Sequence, residues 1–181
     1  MSALDDVLDF WFAAGREAQW FEASEAFDRE VRRVLLSHFE AARLGKFADW
    51  RREPRGCLAL CLLLDQVPRN AFRGTPRAFA SDVLAREVTR HALKEGFDKA
   101  LAGVERVFLY LPLEHSENLK DQQDSVALFA VIEGGGEFLP YAERHRDVIA
   151  RFGRFPHRNA ILGRESTEDE LEFLTQPNSS F

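Results

Sequence analysis

The sequence predicts an all-α fold, an antiparallel array of helices on short connections. Three observations lead there. Apolar residues recur at i, i+3, i+4 and i+7 along most of the chain, and Ser, Thr, Gly and Pro stand where such runs begin and end. No stretch alternates apolar and polar residues with period two beside β-branched ones.

Leu4, Val7, Leu8 and Trp11 form a short amphipathic helix behind a Ser2 cap. Phe27, Val31, Val34, Leu35 and His38 repeat the spacing after Ser24 and stop at Gly45, a residue that ends helices in the left-handed conformation without steric penalty. Pro54 suits a first helical turn and opens a third helix through the apolar run 57–64. The sequence puts the end of that helix before Pro68, because proline lacks the N–H an interior turn requires. Apolar nearly all round, this helix is expected at the centre. After the turn Arg73-Gly74-Thr75-Pro76, residues 81–95 read as a helix that Gly96 ends. Val104, Phe108 and Leu111 carry the pattern up to Pro112. Ser116 reads as the next cap, and the run from Val126 to Ile132 closes at Gly134-Gly135-Gly136. Residues 138–152 form a further helix ended by Gly153, and a last one starts at Thr167, whose Glu170 completes a capping box, and stops before Pro177.

At 181 residues, 45% hydrophobic and 30% charged, the chain is expected to be a single helical domain over 1–181; disorder, collagen and coiled coil are excluded. A net charge of −6 argues against a nucleic-acid partner and against a polybasic membrane-surface protein. Cys57 and Cys61, four apart in the apolar run, read as small core residues in a reducing compartment. The acidic start Asp5-Asp6 is unlike a signal peptide, and the longest apolar run, 57–64, is far short of the roughly 20 residues that span a membrane. These features point to a cytoplasmic protein without a membrane partner, and they leave its oligomeric state open.

Charge is unevenly spread. Residues 51–77 hold six Arg against Glu53 and Asp65, for +4, and residues 144–164 hold six Arg against Asp147, for +5. None of these cations is Lys, and Arg suits planar, bidentate contact with carboxylate or phosphate. Both segments also carry an echo, Arg69-Asn70-Ala71-Phe72-Arg73-Gly74 and Arg158-Asn159-Ala160-Ile161-Leu162-Gly163, each just after a proline. The sequence therefore offers a concave site for a small anionic ligand or an acidic peptide, built from Arg69, Asn70, Arg151, Arg154, His157, Arg158 and Asn159. The alternative is that these Arg cap helix ends and pair with some of the 30 acids.

A second polar concentration is Glu114-His115-Ser116-Glu117. In an enzyme reading, a hydrolase or transferase acting on an anionic substrate, His115 or His157 is the base and Glu114 orients it, while the Arg set stabilises developing negative charge. Acid pairs such as Asp65 with Glu105 or Glu114 suit acid–base work if burial raises one pKa. A third reading is an interaction domain without a small-molecule site. His115, His145, His157 and Glu117 have no metal-site spacing, and no phosphate loop, dinucleotide fingerprint or serine-nucleophile elbow occurs, so neither a metal nor a cofactor is expected. Trp11, Trp20, Trp50, Phe72 and Phe79 read as core.

Three ordered stretches, 64–76 (Leu64-Asp65-Gln66-Val67-Pro68-Arg69-Asn70), 105–117 (with Tyr110-Leu111-Pro112-Leu113-Glu114-His115-Ser116-Glu117) and 145–159 (with Arg151-Phe152-Gly153-Arg154-Phe155-Pro156-His157-Arg158-Asn159), resemble the signature segments of an uncharacterised family, domain of unknown function nine hundred and twenty-four. The likeness runs from Val7-Leu8-Asp9-Phe10-Trp11-Phe12 to Glu170, with Val67 and Leu113 where the family often has Phe. It implies an all-helical, tetratricopeptide-like superhelix and carries over no catalytic residues.

Overall fold

Residues 2–133 and 135–180 are described by the structure, a computed structural model, and among them the regular elements are all helical. Helix α1 (Ala3–Trp11) begins with a reciprocal cap in which Ser2 Oγ accepts from the Asp5 N–H and the Asp5 carboxylate accepts from the Ser2 N–H. Helix α2 (Glu25–Arg43) starts at Ser24, and Gly45 takes φ 73° just beyond it.

The third helix departs from the sequence expectation. Helix α3 (Pro54–Cys61) passes into a π-helical turn, Leu62–Gln66, and on into α4 (Val67–Ala71), so the rod runs through Pro68. In the wider turn the Val67 N–H reaches back five residues to Leu62 O. Pro68 has no N–H to offer Leu64 O, and that carbonyl instead accepts the hydroxyl of buried Ser81 at 2.6 Å. A contact distant in sequence thus replaces the bond that proline deletes. The rod is the expected centre: every residue from Gly56 to Pro68 is buried.

Helix α5 (Asp82–Glu95) ends at Gly96, φ 71°. Helix α6 (Gly103–Glu114) likewise continues past a proline, Pro112, for one more turn, because burial of everything from Val107 to Glu114 outweighs the lost bond. The buried Gln122 amide donates to the carbonyls of Glu114 and Ser116 just beyond. Helix α7 (Leu119–Phe129) is capped by Asn118, not Ser116: Asn118 Oδ1 accepts from the N–H of Lys120 at 2.8 Å, while the Ser116 hydroxyl is engaged by Asp121 and Arg86. The glycine triplet includes position 134, outside the described residues. Helix α8 (Leu139–Phe152) ends at Gly153, φ 70°, and α9 (Glu168–Leu174) opens with the expected Thr167–Glu170 capping box.

Phe108 on α6 is the hub of the core. Its ring lies 5.7 Å from Trp11, 5.0 Å from Trp20 and 5.6 Å from Phe12, all edge-on, the arrangement aromatic quadrupoles favour. A smaller apolar cluster, Val148, Ile149 and Phe155, lies at the other end of α8. Among the described residues no helix is long and apolar enough to cross a membrane.

Candidate functional site

The irregularities of the two proline-bearing helices converge on one cavity of about 680 Å³. The π turn carries Asp65 and Gln66, and α4 adds Arg69 and Asn70 one turn on. The extra turn of α6 after Pro112 carries Glu114 and His115. Helix α8 contributes Tyr141 and His145, and the short turn Pro156–Arg158 contributes His157 and Arg158. Asp82, at the first residue of α5, stands behind the two arginines.

Asp65 is fully buried and is held on several sides. His115 Nδ1 lies 2.9 Å from both of its oxygens, the Gln66 amide donates to Oδ2 at 2.7 Å, and Arg69 Nη1 sits 3.1 Å from Oδ1. Burial alone would raise this carboxyl, but Arg69, His115 and Gln66 hold it down at about 2. Burial, then the charge of Arg69, pushes His115 below its ordinary value, so the imidazole is neutral at neutral pH, donates Nδ1–H to Asp65 and leaves Nε2 for the cavity.

Glu114 behaves oppositely. Burial, reinforced by the Asp65 charge, pushes its carboxyl up to about 8, and burial pushes neighbouring His145 down to about 3. Their 3.3 Å contact therefore joins an uncharged acid to an uncharged imidazole, and it is not an ion pair at neutral pH. His145 Nδ1 is 2.8 Å from Tyr141 O, and the rings of His115 and His145 lie 6.2 Å apart. Two carboxyls near enough to feel each other's charge, one ionised and one protonated, form the pattern of an acid and a base held in one site.

Arg69 grips Asp82 with two bonds of 2.8 and 3.0 Å. Arg158, 6% exposed, reaches the same carboxylate only at 3.7 Å, and its Nε finds no acceptor among the described residues. Its guanidinium lies between the rings of Phe79 and Phe155, at 4.6 and 4.4 Å. Burial and the charge of Arg69 push its pKa down to about 10. Burial and Arg158 similarly push cavity-lining His157 down to about 4.

Of the residues singled out in the sequence, Arg69, Asn70, Glu114, His115, His157 and Arg158 line this one cavity. Arg151, Arg154 and Asn159 do not. Arg151 is exposed, over the Phe152 ring at 4.5 Å. Arg154 is held by Glu170 at 2.7 and 2.8 Å, and Asn159 turns to Ser166 and Glu170, so both tie α9 to the preceding turn. Asn70 faces the cavity but gives its amide to Asp28 at 2.8 Å. The carboxylate that orients His115 is Asp65, with Glu114 a separate group. Glu105 is spent capping α6 through the Ala102 N–H. Trp20 and Phe79, read as core, line the cavity.

Cys57 and Cys61 are buried in the core, where burial pushes the Cys57 thiol up to about 11 and Cys61 higher still. Among the described residues no group of three or more His, Cys, Asp and Glu is placed to hold a metal ion.

The solved structure of a protein of unknown function, ATU0120 from Agrobacterium tumefaciens, is similar to this chain with a TM-score of 0.90 and 42% identity, over 94% of this chain and 96% of that one. Among curated proteins none matches. Over residues 7–178 the sequence matches the family described as bacterial protein of unknown function, DUF924, and the chain belongs to that family.

Proposed function

We propose that the cavity is the active site of a hydrolase that cleaves an ester or amide bond in a small anionic substrate. The observation that carries this reading is Arg158, a desolvated guanidinium without a hydrogen-bonded counter-ion among the described residues, in one cavity with a histidine that a buried aspartate orients. Arg158 holds the anionic group of the substrate. His115 Nε2 takes a proton from water as the water oxygen attacks the acyl carbon, and Asp65 stabilises the imidazolium. Arg69 lies close enough to favour negative charge on the acyl oxygen. Glu114 gives its proton to the departing alkoxide or amine, and the proton left on His115 returns to Glu114 through solvent. Of the described lining residues only Tyr141 and Ser180 carry hydroxyls, and neither is hydrogen-bonded to His115. Water is therefore the nucleophile in this reading.

A binding domain for a small anion or an acidic peptide needs only Arg69, Asn70 and Arg158. It gives no account of an oriented base and a protonated acid on adjacent residues of the same wall. The test is hydrolysis of monoesters and monoamides of dicarboxylic acids. His115→Gln is expected to lower kcat by about 10²–10⁴, and Arg158→Gln to raise KM. Turnover that survives His115→Gln unchanged, or no turnover by the parent protein across the panel, returns the cavity to the binding reading.

A further inference from the structure

Resting on the active-site reading above, we propose that the substrate carries a single carboxylate on an apolar body, aryl or medium-chain alkyl, which lies along Leu111, Phe138 and Tyr141. Two helices change character in the same direction along the cavity wall. On α6, Leu111 precedes Glu114 and His115 by three and four residues, so all three share a face. On α8 the same holds for Phe138, Tyr141 and His145, spaced by three and four. Along each helix apolar surface precedes the buried ionisable groups, and these meet where the His115 and His145 rings approach. The buried ionisable groups thus gather at one end of the cavity, and the other end has an aromatic wall edged by the exposed charges of Glu22, Glu137 and Arg144.

The aromatic end carries ring surface that the described residues leave open. Phe21 is 58% exposed and Tyr141 56%, yet both line the cavity, and the Phe21 ring lies 5.9 Å from Phe138. Single exposed aromatics are ordinary, but three on one wall beside a buried cation form a contact surface for an amphipathic molecule. From Phe138 to His145 the helix rises about 10 Å, the length of roughly eight methylenes.

The head group follows from charge. At neutral pH the guanidiniums of Arg69 and Arg158 face the carboxylates of Asp65 and Asp82 at the buried end, while Glu114 and the imidazoles are uncharged; the other charged lining residues, Glu22, Arg73, Glu137 and Arg144, are exposed and balance in sign. One added negative charge meets the under-compensated Arg158, whereas a second would stand beside Asp65 and Asp82 at the buried end, with only exposed Arg73, already paired with Asp28, and exposed Arg144 to oppose it from the rim. A planar guanidinium also matches a carboxylate in two parallel bonds. These considerations favour a monocarboxylate over a phosphate dianion.

The test is calorimetric titration of the full chain with acetate, butanoate, hexanoate and octanoate, and with inorganic phosphate and octanol. Affinity is expected to rise about threefold to fourfold per added methylene up to octanoate, with octanol and phosphate both weaker than octanoate. Phe138→Ser with Tyr141→Ser is expected to flatten the series. If acetate and octanoate bind equally, or phosphate binds more tightly than octanoate, the apolar body is wrong while the anion site on Arg158 stands. If no anion binds saturably, or Arg158→Gln leaves octanoate binding unchanged, the active-site reading fails with it.

Discussion

Arg69 and Arg158 meet at one carboxylate, Asp82, although they stand 89 positions apart in the chain: Arg69 holds it in two hydrogen bonds, and Arg158 stops at 3.7 Å. The echo that the sequence carries at these positions corresponds to a spatial relation. Its two arginines share a counter-ion, while its two asparagines turn away to separate carboxylates, Asn70 to Asp28 and Asn159 to Glu170. With one carboxylate between two guanidiniums and the better geometry taken by Arg69, the charge of Arg158 is left for something else. Counting acids against bases along the sequence does not reveal this, because the deficit depends on hydrogen-bond geometry.

Removing that shared carboxylate leaves two buried cations facing each other. Asp82→Asn is therefore expected to destabilise the protein by about 3 kcal/mol, toward the lower end for a broken buried pair because Arg69 keeps Asp65. For a protein of this size that is a fall in Tm of roughly 6–12 °C, which scanning calorimetry would show. Added acetate is expected to recover part of the loss. An unchanged Tm would mean that the arginines do not depend on Asp82.

The Ser81 hydroxyl is the sole side-chain donor to Leu64 O among the described contacts, at the turn where Pro68 removes the usual backbone partner. Ser81→Ala leaves that carbonyl buried and unpaired, at a cost of about 1–3 kcal/mol. Urea denaturation should show the loss as a lower midpoint with an unaltered slope. Because the π turn also sets the direction of Asp65, activity is expected to fall along with stability.

The contrast between the helix ends and the two prolines marks how far the sequence was legible. Ser24, Gly96, Gly153 and Thr167 act through bonds within their own turns, so spacing and residue type suffice to place them. Pro68 and Pro112 carry an equally plain local signal, and there the local signal misleads. What overrides it is a hydroxyl on another helix in one case and burial of a whole helical segment in the other. Those two overrides make the site, since Arg69 and the Glu114–His115 pair lie past the prolines. Arginine-only clusters and adjacent Glu and His drew attention to six lining residues. The orienting role of Asp65 was hidden by its distance of 50 positions from His115, although a lone acid closing a long apolar run is a visible oddity. Arg154 looked like Arg158 in the sequence, but it lies outside the cavity with Glu170 within reach.

Glu114 gives the fold a pH dependence above neutrality. In the folded protein it stays protonated up to about pH 8, while in the unfolded chain it ionises near its ordinary 4.5. Between pH 6.5 and 8 the folded state thus holds a proton that the unfolded state has released, so stability falls as pH rises, by about 2 kcal/mol over that window. His145 and His157 act in the opposite sense below 6.5, because their folded values near 3 and 4 leave the unfolded chain binding the extra protons. Their two contributions outweigh the one carboxyl there, and stability rises with pH up to about 6.5. Denaturation curves at a series of pH values should peak near that point. In Glu114→Gln the decline between pH 6.5 and 8 is expected to vanish and the acid limb to remain, while the buried thiols still lower stability at more alkaline pH; a decline that persists within that window would place the responsible proton elsewhere.

Arg158→Gln separates a cation kept for a ligand from one kept for the fold. The guanidinium is buried, donates no hydrogen bond among the described contacts and has its proton affinity lowered by its surroundings. A neutral amide there removes a desolvated charge, and the unliganded protein is expected to gain about 1 kcal/mol, or roughly 2–4 °C in Tm. The same change should abolish saturable stabilisation by a carboxylate, which in the parent reaches about 2.7 kcal/mol at 100 times Kd. Arg151→Gln is the control, since Arg151 is exposed on the Phe152 ring outside the cavity and is expected to leave both Tm and the anion response as they are. Holding ionic strength constant with chloride separates the site from general salt effects. An anion response lost in Arg151→Gln and kept in Arg158→Gln would put the ligand on the outer face of α8. An unresponsive parent with a destabilised Arg158→Gln would make the guanidinium a structural cation, held by its two aromatic rings and the distant edge of Asp82.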